Sequence, residues 1–245
     1  SALSFGCGLV TLVESKSNKK AASKFKIPLS LMLSQEIPEK ISCLILGPGF
    51  GRNGNPQEYL DFLKSHPKVK AVFDADIFYY PQILELLKIR PNGIILTPHP
   101  KEFSSLLKIA KIRKTSSENN SDIFSVEDCI KFKTELMEIF CREFPDVILH
   151  VKGANSMTGT FCKDANDTWN FRLFVNPEGK PSLSKAGSGD VLSGFTAALL
   201  SQGYDNLSSM LNATLSHAIC SSKIKNNFAL TPERLVNLVE NISFK

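Results

Sequence analysis

The sequence predicts an α/β fold in which a mainly parallel sheet is covered by helices on both faces. Short apolar, partly β-branched runs recur at residues 9–13, 29–33, 43–46, 69–73, 93–96 and 147–151, several of them followed by amphipathic helical patterns. Strands alternating with helices in this way require crossover connections, and the apolar character of both strand faces matches a sheet buried on each side. The helix starts point the same way. Asn55-Pro56 is a cap followed by proline at the first helical position, and Pro81 and Pro100 open helices likewise. The strand-to-helix loops are then short and lie at the carboxyl ends of the strands, where open α/β sheets bind ligands.

A chain of 245 residues with 42% hydrophobic content buries one sizeable core, so residues 1–245 are read as a single domain. The opening stretch 1–8 reads as the tail of a helix running into the strand at 9–13, and the expectation is of a chain that begins inside a fold. The polar segment 111–125 is a surface loop, followed by a helix over 126–144. Two further strands at 157–162 and 169–175, joined by the turn Asp164-Ala-Asn-Asp167, form a hairpin at the sheet edge. From Ser188 onward the chain reads as helices.

The formal charge is +5, with 29 basic and 24 acidic residues interspersed. The densest basic stretch, Lys16 to Lys26, is read as a solvated face, and no nucleic-acid partner is expected. A mild positive balance suits an anionic nucleotide substrate. The six cysteines are scattered without Cys-x-x-Cys or zinc spacing, which predicts reduced thiols in a cytoplasmic protein. No apolar run reaches the roughly 20 residues needed to cross a bilayer, and no membrane association is expected.

The chemistry concentrates in five segments. Gly187-Ser188-Gly189-Asp190 stands where a loop becomes an apolar helix. A helix start offers unpaired N–H groups and the positive end of the dipole, and glycine admits a phosphate close to that backbone. Asp190 there can accept a hydroxyl proton or hold a cation, or serve only as a first-turn partner of the dipole. Gly47-Pro-Gly49-Phe-Gly51 ends a buried strand with glycines at alternate positions. The spacing departs from the dinucleotide fingerprint, which disfavours a Rossmann cofactor site and leaves either a tight turn or a close backbone approach to a ligand. Asp74-Ala-Asp76 closes another strand with two carboxylates at i and i+2, expected on one side, able to position magnesium or a substrate hydroxyl or to cap the helix after Pro81. Asp76 is the stronger functional candidate of the two. His99, fixed between Pro98 and Pro100, is a binding candidate, whereas Glu102 is either part of the site or a first-turn acid. Lys152-Gly153-Ala154-Asn155-Ser156 ends a strand with a lysine and a glycine suited to a nucleotide phosphate, or to solvent. His150 and His66 are assigned no role.

Taken in order, Gly47-Pro-Gly-Phe-Gly51, Asp74-Ala-Asp76, Leu96-Thr-Pro-His-Pro-Lys-Glu-Phe103, Lys152-Gly-Ala154 and the stretch from Asn176 to Gly194 strongly resemble the ADP/ATP-dependent NAD(P)H-hydrate dehydratase family over almost the whole chain. Where that family usually has Asp-Ala-Asp-Ala-Leu this chain has Asp74-Ala-Asp-Ile-Phe78, and Ser156 stands where a threonine is common. The resemblance implies a ribokinase-like three-layer α/β/α sandwich over residues 1–245, lacking the amino-terminal strand that the family has. It also implies a lyase that repairs the hydrated cofactors NADHX and NADPHX, with ADP or ATP as phosphoryl donor and Mg²⁺. It makes Asp190 the catalytic residue and Gly49, Gly51, His99 and Asp190 contacts to the hydrated dinucleotide. Lys152, Gly153, Ala154, Asn155, Ser156, Gly187, Ser188 and Gly189 become contacts to the adenine nucleotide, with Asp76 and Glu102 as further candidates and no metal ligand assigned. A homo-oligomer and a fused or separate NAD(P)H-hydrate epimerase are the partners implied. The alternatives are a small-molecule kinase of the same fold, of the hydroxymethylpyrimidine or hydroxyethylthiazole kinase type, and a non-catalytic nucleotide sensor.

Overall fold

The computed structural model describes residues 1–14, 28–114 and 123–242. The basic stretch Lys16 to Lys26 and residues 115–122 of the polar loop lie outside the described residues.

Four parallel strands, β3 (Cys43–Leu46), β4 (Lys70–Phe73), β5 (Ile94–Leu96) and β6 (Ile148–Val151), lie side by side in chain order in a six-stranded sheet, with β3 at its edge. The sheet is extended antiparallel by β7 (Met157–Lys163) and β8 (Trp169–Val175). The turn between β7 and β8 is held by Asp164, whose carboxylate accepts from the backbone N–H groups of Asn166 and Thr168, as its composition predicts. A separate parallel pair, β1 (Thr11–Val13) with β2 (Met32–Ser34), precedes this sheet.

Side-chain alternation sends the central strands into two cores. Ala71, Phe73, Ile94, Leu96, Leu149 and Val151 face one layer of helices, α1 (Gln57–Ser65), α2 (Ile83–Ile89), α3 (Pro100–Ile109), α4 (Val126–Lys131) and α5 (Lys133–Glu143). Val72, Ile95 and Ile148 form a row across adjacent strands on the opposite face and pack on α6 (Ser188–Ser201), α7 (Asn206–Ser222) and α8 (Pro232–Asn237). This is the three-layer α/β/α sandwich, and α6 is buried nearly all round because sheet, α7 and α8 all lie against it.

Several elements differ from expectation. Pro56 is itself the N-cap of α1, and Pro81 stands before Gln82, the N-cap of α2, so neither occupies the first helical position; the strand expected over 29–33 forms at Met32–Ser34. Only a single 3-10 turn, Leu3–Phe5, forms in the opening stretch, stopped by Gly6 in the left-handed region and held by Phe5 stacking on Phe195 at 4.2 Å. The helix expected over 126–144 is two helices, because Phe132 (φ −108°, ψ 33°) leaves helical geometry. All six cysteines are free thiols. Among the described residues, no helix is long and apolar enough to cross a membrane.

Candidate active site

The loops following β3, β4, β5 and β6 gather at one edge of the sheet and meet the first turn of α6. Gly187 caps that helix at φ +84°, a conformation open to glycine. A Cβ there would also lie 2.8 Å from Pro232 Cγ. The Ser188 N–H donates to the Lys185 carbonyl at 3.1 Å. Among the described residues, the N–H groups of Gly189 and Asp190 have no protein acceptor, so they are the donors that the first turn presents to an anion.

Ser188, expected among the nucleotide contacts, points inward. It is 2% exposed, and His217 Nε2 lies 3.1 Å from its hydroxyl and 3.0 Å from its carbonyl oxygen. A carbonyl only accepts, so Nε2 carries the proton. Burial pushes the His217 pKa down to about 4, against the smaller raising effect of its bond to Ser188. Ser188 therefore contributes position to the site through its backbone.

Asp190 follows on the exposed side of the turn. Its carboxyl pKa is raised, first by desolvation at the cleft wall and then by the charges of Asp74 and Glu102, against the lowering effect of Lys152. These charges come from three different elements: Asp74 from the end of β4, Lys152 from the end of β6 and Glu102 from the first turn of α3. Lys152, after β6, reaches Asp74 Oδ1 at 2.6 Å and lies 3.8 Å from Glu102 Oε2. Its backbone N–H donates to the Pro98 carbonyl at 2.9 Å, joining the β5 and β6 loops.

Asp74 and Asp76 do not share one side. Ala75 takes φ +54° and starts a 3-10 turn, Ala75–Tyr79, so the strand geometry behind the i, i+2 expectation ends at Asp74. Asp74 is 1% exposed and accepts from Lys152, from the Ser193 hydroxyl at 2.6 Å and from the Ala75 N–H at 2.9 Å. Asp76 instead accepts the Gly51 N–H at 2.9 Å. Neither carboxylate caps α2.

The glycine loop is thereby fixed. Tyr80 donates its hydroxyl to the Gly51 carbonyl at 2.7 Å and accepts the Gly54 N–H at 2.9 Å. Gly47, at φ +124°, packs against the chain itself, since a Cβ would fall on the Asp74 carbonyl oxygen. Gly49 and Gly51 have positive φ with open space where a Cβ would stand, the arrangement that lets a ligand approach the backbone.

His99 is the N-cap of α3. Its Nδ1 accepts from the N–H groups of Lys101 (3.1 Å) and Glu102 (3.3 Å), which leaves the proton on Nε2, 3.0 Å from Glu102 Oε1. Glu102 Oε2 accepts the His99 N–H at 2.8 Å, completing a capping box. Glu102, weighed as a first-turn acid, thus also sets the orientation and tautomer of His99.

The Lys152–Ser156 loop carries Gly153 at φ +119° and Asn155 at φ +51°. Lys133, at the start of α5, donates to the carbonyls of Ala154 and Asn155, each at 3.0 Å, and Ser156 accepts the Asn176 N–H at 2.9 Å. Lys133, Tyr80, Ser193 and His217 escaped the sequence reading. Ser193 alone had a signal, since it stands four residues after Gly189 and so shares its helical face.

Sheet order, layers and a loop-rich edge built around a glycine-flanked helix start define a ribokinase-like α/β/α fold. A protein of that superfamily from Enterococcus faecalis superposes with a TM-score of 0.70 at 15% identity, covering 98% of this chain and 78% of that one. The NAD(P)H-hydrate dehydratase family model matches residues 1–242, and the chain belongs to that family. It is 35% identical to the bifunctional NAD(P)H-hydrate repair enzyme of Helicobacter pylori over 99% of its own length, but spans 46% of that protein; it covers half or less of the bifunctional relatives it matches. The ADP/ATP-dependent NAD(P)H-hydrate dehydratase of Bacillus subtilis, co-crystallised with ATP/Mg²⁺, superposes with a TM-score of 0.70 at 18% identity, covering 98% of this chain and 80% of that one.

Proposed function

We propose that the chain converts (S)-NAD(P)H hydrate, NADHX or NADPHX, back to NAD(P)H, with ADP or ATP as phosphoryl donor. The observation that carries this reading is Asp190, an exposed carboxylate of raised pKa beside two free helix-start N–H groups and the Lys152 ammonium. Asp190 removes the proton from the hydroxyl on the hydrated ring, and that oxygen attacks the terminal phosphorus of the nucleotide as the bridging P–O bond breaks, releasing AMP from ADP or ADP from ATP. The N–H groups of Gly189 and Asp190, with Lys152, take up the charge of the transferring phosphoryl group. Phosphate then leaves with its C–O bond electrons as the ring loses a proton, which restores the dihydronicotinamide.

The nucleotide lies along Lys152–Ser156 and the Gly187–Gly189 turn. The hydrated dinucleotide lies against Gly49, Gly51, His99 and Asp190. Mg²⁺ belongs to the nucleotide substrate: among the described residues no three His, Cys, Asp or Glu side chains cluster as a metal site, and Mg²⁺ is normally held by phosphates and water with few protein ligands. The same proposal includes a cytoplasmic homo-oligomer working with an epimerase, fused or separate, that supplies the S epimer.

The test is recovery of reduced-nicotinamide absorbance from hydrated cofactor, with ADP and ATP supplied in turn, in the wild type and in Asp190→Asn. Recovery in the wild type, lost by about 100-fold or more in Asp190→Asn, is expected. A stable phosphorylated product would instead mark a small-molecule kinase, and binding without turnover a sensor.

A further inference from the structure

We propose that Asp74 is a positioning residue of the phosphoryl-transfer site, acting through Lys152 and the first turn of α6. This rests on the reading of the site given above. Asp74 ties three elements together: it ends β4, receives the Lys152 ammonium from the end of β6 and receives the Ser193 hydroxyl from α6, both at 2.6 Å. Gly189 and Ser193, four residues apart, lie on the face of α6 turned toward it. A Cβ on Gly189 would stand 3.2 Å from Lys152 Nζ and 3.9 Å from Asp74 Oδ2. The ammonium is therefore held against the first turn of α6 at Gly189.

A negative charge behind an anion-binding helix start needs a reason. A buried ion pair gains little net stability, because both charges lose their hydration. A bare carboxylate there would also repel phosphate. What the pair provides is direction. A lysine side chain has four rotatable bonds, and ordering it as phosphoryl charge develops would cost free energy at the transition state. Held by Asp74, with Asp74 in turn held by Ser193 and the Ala75 N–H, Lys152 is ordered before substrate arrives. Glu102, 3.8 Å from the same ammonium, is too far to replace Asp74 as its hydrogen-bond partner.

The groups facing Asp190 are Asp74 from β4, Lys152 from β6 and Glu102 from α3. Asp74→Asn removes one negative neighbour and frees the positive one, so both changes ease ionisation of Asp190. Loss of that charge moves the titration whatever else Asp74 does, so the readout that a merely structural role would not give is a fall in kcat with AMP affinity kept.

The experiment compares wild type, Asp74→Asn and Ser193→Ala in kcat, in nucleotide affinity by calorimetry with AMP, and in the Asp190 carboxyl titration followed by ¹³C NMR. For folded Asp74→Asn, kcat falls about 10-fold or more while AMP affinity stays within about threefold, because the ammonium remains but is no longer placed. The Asp190 titration moves to lower pH by roughly half a unit or more. Ser193→Ala keeps the charge pair, lowers kcat several-fold and leaves the titration in place. Wild-type kcat in folded Asp74→Asn, or an unmoved Asp190 titration, overturns the proposal. If Asp74→Asn does not fold, wild-type kcat in Ser193→Ala overturns it. A wild-type chain that binds AMP yet never dehydrates hydrated cofactor refutes the activity, while the Asp190 titration still reads the action of Asp74.

Discussion

His217 and Ser188 meet beneath the first turn of α6, where the imidazole N–H donates to the Ser188 carbonyl at 3.0 Å and the hydroxyl stands 3.1 Å from the same nitrogen. The ring is 8% exposed and stays neutral, its pKa pushed down to about 4. In the unfolded chain a histidine takes up its proton near pH 6.5. The folded value is the lower one, so the stabilising contribution is complete above about pH 6.5 and is lost as pH falls from there toward 4. His150, buried against Thr158 and pushed down to about 3, acts in the same direction and over a longer range. Urea midpoints measured from pH 7 to 4 should fall, with each histidine contributing roughly 1 kcal/mol per pH unit within its window. His217→Gln should flatten the part due to His217. A midpoint independent of pH across this range would show that neither imidazole is held neutral.

Lys133 anchors the Lys152–Ser156 loop, proposed for the nucleotide, from behind. It donates to the carbonyls of Ala154 and Asn155, and Asn155 sits at φ +51°, where an L side chain is strained unless its surroundings hold it. Lys133→Met keeps the aliphatic stem and removes both hydrogen bonds. Calorimetry should show AMP affinity weakened about 10-fold, corresponding to roughly 1.4 kcal/mol, with the KM for hydrated dinucleotide little changed. Equal weakening of both ligands would mean that Lys133 supports the whole cleft and not this loop alone.

The glycines of the β3 loop divide by what lies beside them. Gly47→Ala puts a methyl group on the Asp74 carbonyl oxygen at φ +124°, so the β3 and β4 loops must separate. Its cost should exceed about 3 kcal/mol. Gly49→Ala has open space at φ +67°, and the backbone strain alone costs about 1 kcal/mol. Its methyl projects toward the side proposed for the dinucleotide, so KM for that substrate should rise about 10-fold or more. Denaturation of both variants, with kinetics on Gly49→Ala, separates the roles; equal stability losses would contradict the division.

The sheet was legible because its strands are short apolar runs separated by strong punctuation, and each central run lies within a residue or two of its strand. The site was legible where glycine, proline or a helix start marks the chain, as at Gly187 to Asp190 and at His99. It was not legible where the contribution comes from a distant partner. Asp74 reads as the weaker of two carboxylate candidates until Ala75 turns to positive φ and sends Asp76 to Gly51 and Asp74 to Lys152. Lys133 lies on an amphipathic helix pattern, and only the break at Phe132, which no proline or glycine announces, distinguishes its place in the fold. Ser188 fits the phosphate pattern, yet its side chain faces His217, and that pairing depends on how α7 packs on α6.

Glu102 has two functions that substitution can separate. Its Oε2 accepts the His99 backbone N–H, and its Oε1 holds the ring at Nε2 while Nδ1 caps the helix. Glu102→Gln keeps an oxygen for one of these bonds and loses the carboxylate facing Lys152 and Asp190; Glu102→Ala loses both bonds. The alanine variant should lose about 1 kcal/mol of stability with the capping box, the glutamine variant less. Both should raise KM for hydrated dinucleotide several-fold, since His99 loses the partner that fixes its ring, and AMP affinity should stay within about threefold. Glutamine also removes one of the negative charges that raise the Asp190 pKa, so the acid limb of kcat/KM should shift to lower pH in both variants. An acid limb unmoved in either, together with wild-type KM, would confine Glu102 to helix capping.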